Sequence, residues 1–156
     1  MGENLIESTG QEETGSLLTQ IGQMFQCGEA DVRAYSPLTL AYIGDAVYEL
    51  VIRTIVVERA NRAVNELHKR SVKYVKAEVQ AVIIQSLLEE LSQEELAVYK
   101  RGRNAKSHTS AKNASIQEYR KATGFEALIG YLYLTGQSNR MLYLIKTGIE
   151  GIGLVI

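Results

Sequence analysis

Pro37 is the single proline in 156 residues, and tryptophan is absent. A chain with one obligate helix breaker leaves long stretches free to run helically. Pro37 follows Ser36, the order of an N-cap and a first-turn proline, so it marks a helix start. No alternating apolar and polar run argues for strands. The expected fold class is all-α. With 46% apolar and 22% charged residues, the chain has core-forming material for one ordinary domain.

Residues 1–15 read as a flexible acidic lead-in, and residues 16–156 as the folded domain. Ser16 is placed to cap a short amphipathic helix reaching about residue 26, with Leu17, Leu18, Ile21, Met24 and Phe25 on one face. A second helix is expected over 38–58 and a third over 60–88, where Val64, Leu67, Val75, Val79, Val82 and Ile83 recur at three-to-four spacing. Ser92 and Glu95 form a capping box that opens a helix over 93–101, with Gly102 as its stop. A polar, basic loop to residue 115 precedes helices over 116–134 and 139–146 and an apolar tail.

Several function classes drop out. Cys27 is the lone cysteine, which excludes an intrachain disulfide framework or cysteine zinc site and reads as a small core residue. His68 and His108 are too few for a histidine-rich metal site. Met1 is followed by no basic and apolar leader, and the most apolar stretch, 40–57, contains Asp45, Glu49 and Arg53, which argues against a membrane span. A cytoplasmic protein is expected.

The net charge of −1 hides strong segregation. Residues 1–32 carry six acids and no base, residues 100–121 seven bases and one acid, and residues 53–76 seven bases and two acids. Clustering of this kind is what a phosphate backbone responds to. The loop residues Arg101, Arg103, Asn104, Lys106, Ser107 and Lys112 are the leading candidates for such contact. Lys69, Arg70, Lys73 and Lys76 come second, with a solvated helix face as their plain reading.

Two acids stand out for their surroundings. Within the apolar helix over 38–58, Asp45, Glu49 and Arg53 follow at four-residue steps, each turning about 40°, and so form one narrow polar stripe. An ionised carboxylate among apolar groups is costly unless paired, hydrogen-bonded or bound to a cation. Glu49 has a structural explanation, an i to i+4 pair with Arg53. Asp45 has none nearby, and Gly44 beside it permits close backbone approach. Glu126 repeats the pattern in TGFEALIGYLYL, with Gly130 one turn on. Asp45 and Glu126 are therefore a candidate joint metal site, although 81 positions separate them.

SPLTLAYIGDAVYELVIR (36–53) resembles the signature helix of the ribonuclease III family. RGRNAKS (101–107) and FEALIGYLYL (125–134) are similar to its small Mini-ribonuclease III subgroup, and the three blocks stand in the family's order. The resemblance implies a helical homodimer that cleaves double-stranded RNA with Mg²⁺, leaving 5′ phosphates and 3′ hydroxyls. It assigns the metal to Asp45 and Glu126, the catalytic acids; Glu49, one turn beyond Asp45, is expected to assist from behind the metal ligands or to position water. It also implies processing of the large-subunit (23S) ribosomal RNA precursor, without a separate double-stranded-RNA-binding domain. The larger members carry further acids where this chain has Leu38, Ala41 and Thr123, which leaves the number of metal ions open. Two other readings remain: a catalytically idle RNA-binding helical module, and a helical metal-dependent nucleotide pyrophosphohydrolase. The second needs Glu-x-x-Glu pairs on facing helices. The Glu89-Glu90 and Glu94-Glu95 pairs straddle a helix break and read as surface, and the nine tyrosines mostly as packing.

Overall fold

The computed structural model describes residues 15–28, 31–106 and 115–156. The chain divides into two compact units, residues 1–30 and 31–156. In the first, helix α1 (Leu17–Met24) starts at Ser16, whose side chain accepts from the Thr19 amide at 3.2 Å. Leu17, Ile21 and Met24 are exposed along it. Cys27, read from the sequence as a core residue, is exposed.

The second unit is helical, with no strand among the described residues. Its helices are α2 (Pro37–Arg59), α3 (Val64–Val75), α4 (Ala77–Leu87), α5 (Gln93–Asn104), α6 (Ile116–Leu134) and α7 (Ser138–Gly151). The all-α expectation is met. None of the described helices is long and apolar enough to cross a membrane. Helix α6 is the hub, packing on α2, α4, α5 and α7, and nine of its residues are buried, from Ala122 to Leu132. Tyr48 of α2 meets Phe125 of α6 edge to face, with centroids 5.2 Å apart. Ile52, Ile83, Leu87, Leu128 and Leu144 fill the core around them.

Three boundaries differ from the sequence reading. The single helix expected over 60–88 is two, broken at Lys76, whose backbone is extended (φ −62°, ψ 142°). No glycine or proline announces this break. Partners from elsewhere take up the carbonyls that α3 leaves open: the Tyr48 hydroxyl donates to Tyr74 O at 2.7 Å and Gln80 Nε2 to Val75 O at 3.0 Å. Gly102 does not stop α5, which continues to Asn104. That glycine is there for packing: a Cβ on it would lie 2.8 Å from the Ala127 Cβ and 2.9 Å from the Gly124 Cα. The last helix runs on to Gly151, past the expected end at 146.

The surface reading of the acidic pairs also needs correction at Glu95, which is buried. Ser92 and Glu95 form the expected capping box. Arg140 of α7 then grips the same carboxylate twice, Nε to Oε2 and Nη2 to Oε1, both at 2.9 Å, and donates to the Glu90 carbonyl at 2.9 Å. Arg140, ahead of all other causes, holds the Glu95 carboxyl below its usual range. Arg140→Ala leaves a buried carboxylate unpaired and should cost about 3 kcal/mol in a urea titration at pH 7. Because the folded Glu95 titrates low, its contribution is present above its unfolded pKa and disappears as pH falls through the folded one. The difference between wild type and variant should therefore shrink in acid; a difference independent of pH would contradict this role.

Candidate active site

The site forms where α2 crosses α6. A Cβ on Gly44 would fall on the Glu126 carbonyl oxygen, and one on Gly130 would fall on the Leu40 carbonyl oxygen. The two backbones touch with no side chain between them, and Asp45 therefore emerges beside Glu126. The structure brings the two acids to the same crossing: Asp45 follows Gly44, which lies on the Glu126 backbone, and the Asp45 charge reaches the Glu126 carboxyl.

Asp45 is exposed and Glu126 half-buried, so the pair opens to solvent from a dry base. Burial first, then the neighbouring Asp45 charge, pushes the Glu126 carboxyl up from 4.5 to about 8. The Asp45 carboxyl is also raised, by burial and by the Glu49 charge. Two carboxyl groups this close need a proton or a cation between them. An all-oxygen pair suits a hard divalent ion such as Mg²⁺, which keeps most of its waters and needs one or two carboxylates as anchor. Among the described residues no cluster of three or more His, Cys, Asp or Glu could hold a metal.

Glu49 makes the ion pair its spacing suggests, with Arg53 Nη2 2.8 Å from its Oε2, and its charge still reaches Asp45. Of the positions where larger family members carry acids, Ala41 is buried and Leu38 exposed. Thr123 is half-buried and its hydroxyl donates to the Tyr119 carbonyl at 3.0 Å.

A second close crossing, of α5 on α6, was not read from the sequence. Tyr99 lies against Gly124, where a Cβ would be 2.7 Å from its ring, just as Gly102 lies against Ala127. The basic end of α5 is thereby docked beside the stretch of α6 that carries Glu126. Glycines at 102 and 124 were its only signal. Arg101, Asn104 and Lys106 are exposed there, and Arg103 is half-buried. Ser107, His108 and Lys112 lie outside the described residues. Lys69, Arg70, Lys73 and Lys76 are exposed on α3 and its junction with α4.

Gly130→Ala puts a methyl group into backbone and should destabilise the fold by about 3 kcal/mol or more. Gly151→Ala, whose Cβ meets nothing nearer than 3.4 Å, should stay within about 1 kcal/mol of wild type; equal midpoints for the two variants in urea would contradict the crossing. Because the folded Glu126 titrates above its unfolded value, the stability it contributes is complete below pH 4.5 and lost as pH rises through about 8. Glu126→Gln should remove that decline and gain about 1 kcal/mol or more over wild type at pH 8 without divalent ions. An unchanged pH profile would contradict the raised Glu126 carboxyl.

Comparison with known proteins agrees with this architecture. The Ribonuclease III domain family profile matches residues 38–137. The chain is 52% identical to Mini-ribonuclease 3 of Clostridium tetani, over 74% of this chain and 78% of that protein. It is 49% identical to Mini-ribonuclease 3 of Enterococcus faecalis, over 79% of this chain and 95% of that one. The crystal structure of a Fusobacterium nucleatum protein superposes with a TM-score of 0.70 at 32% identity, covering 79% of this chain and 98% of its own. The chain belongs to the ribonuclease III family, alongside its Mini-ribonuclease 3 members.

Proposed function

We propose that the protein is an endoribonuclease that cleaves double-stranded RNA with Mg²⁺ and acts in maturation of the large-subunit ribosomal RNA precursor in the cytoplasm. The observation that carries this reading is the meeting of Asp45 and Glu126 at the α2–α6 crossing. The two carboxylates would hold the ion, which when bound would supply a water of lowered pKa and offset charge on the phosphate and the departing 3′ oxygen. Asp45 and Glu126 stay fixed because the helices beneath them cannot slide at Gly44 and Gly130. Glu49, restrained by Arg53, orients water on the open side of Asp45.

RNA binding falls to the basic end of α5 and the loop after it, through Arg101, Arg103, Asn104, Lys106, Ser107 and Lys112. Lys69, Arg70, Lys73 and Lys76, exposed on α3 and its junction with α4, keep their plain reading as a solvated helix face. A-form RNA is recognised by its shape, phosphates and 2′ hydroxyls, which cations at spaced positions can reach. A homodimer supplies one site per strand. In support, Tyr42, Leu50 and Val57 lie exposed on α2, outward apolar side chains beside the polar stripe of Asp45, Glu49 and Arg53.

The test is incubation of long duplex RNA with wild type and with Asp45→Asn, each with Mg²⁺ and with chelator. Discrete cleavage in Mg²⁺ alone, lost in the variant, is expected, with 5′-phosphate ends. Retardation without cleavage would instead identify a binding module, and hydrolysis of free nucleoside triphosphates with RNA intact would identify a pyrophosphohydrolase.

A further inference from the structure

Arg101 and Arg103 stand at the same end of α5, but the fold treats them differently. Arg101 projects into solvent, while Arg103 is half-buried. The Arg103 guanidinium carbon sits 5.6 Å from the centroid of the Tyr99 ring, one turn earlier. Its Nε donates to Asn104 Oδ1 at 3.2 Å. Tyr99 cannot move: it is 1% exposed, and its ring is wedged against Gly124, two residues before Glu126 on the same helix. A continuous line of contact therefore runs from the helix bearing Glu126, through the Tyr99 ring, to the Arg103 guanidinium. No acid among the described residues forms an ion pair with Arg103. With Nε engaged by Asn104 and the guanidinium held at the Tyr99 side chain, its remaining N–H donors are open to an anion.

We infer that Arg103 is a pre-set clamp for an RNA phosphate at the basic end of α5, and that Tyr99 and Asn104 are positioning residues that hold it and do not themselves touch RNA. The inference rests on the nuclease reading and refines it. Asn104, grouped above with the RNA contacts, acts through Arg103. A side chain already ordered loses less freedom on binding than a mobile one, so Arg103 contributes more than Arg101 at equal charge. Lysine cannot replace it, having neither the planar face for the ring nor a second fork for the phosphate.

The full chain is titrated with a fixed RNA duplex in chelator, so that binding is read without cleavage, across a series of salt concentrations. Arg101→Ala and Arg103→Ala should each flatten the salt dependence by about one unit. Arg103→Ala should weaken binding about tenfold and Arg101→Ala about twofold. Arg103→Lys should keep the wild-type slope and still lose affinity. Asn104→Ala should lose about threefold with no change in slope, and Asn104→Gln, which keeps a neutral amide oxygen, should recover part of it. Wild-type thermal midpoints in these surface variants confirm that the fold is intact. Equal losses for the two arginines, wild-type affinity in Arg103→Lys, or wild-type affinity in Asn104→Ala would each overturn the inference. A wild-type chain without affinity for duplex RNA would overturn the nuclease reading as well, which separates the two failures.

Discussion

Helices α2 and α6 touch backbone to backbone at Gly44 and Gly130, and most of the structure follows from that contact. Ordinary helix pairs keep their axes 8–10 Å apart because side chains fill the space between them. Removing the Cβ at both crossing points brings the Glu126 carbonyl against Gly44 and the Leu40 carbonyl against Gly130. The register is then fixed in both directions, since any slide drives a side chain into backbone. Tyr48 and Phe125 close the core on one side of the crossing, and Asp45 and Glu126 are forced together on the other.

This geometry explains why a stable fold tolerates such a pair. The carboxyl of Glu126 loses water on its buried side and faces a second acid, and the cost appears as a proton retained to about pH 8. In the proposed reading a hard divalent ion takes the place of that proton and turns a destabilising contact into a binding site, and the burial that costs stability in the free protein would confine the ion. Cations stand back from the pair: Arg53 is spent on Glu49, and Arg103 is seated on Tyr99. Neither forms an ion pair with Asp45 or Glu126, which keeps both acids available.

Much of this was legible in the sequence because it is local or periodic. Ser16, Ser36-Pro37 and the Ser92–Glu95 box mark helix starts by backbone chemistry that neighbours supply. Lone acids beside glycines in apolar helices pointed to Asp45 and Glu126, though spacing alone could not make them meet. What escaped was tertiary. The break at Lys76 has no breaker residue, since its open carbonyls are met by Tyr48 and Gln80. Gly102 reads locally as a stop and is used instead for close packing on α6. Glu95 reads as surface until Arg140, 45 positions away, covers it.

In the proposed reading, Asp45 and Glu126 of one chain together form a divalent-ion site. Calorimetric titration of Mn²⁺ into the protein, without RNA, should show a saturable site per chain in wild type that disappears in Asp45→Asn and, separately, in Glu126→Gln, with both proteins folded. Undiminished binding after either single substitution would mean that the ion is held elsewhere and that the carboxylate pair is not a metal site.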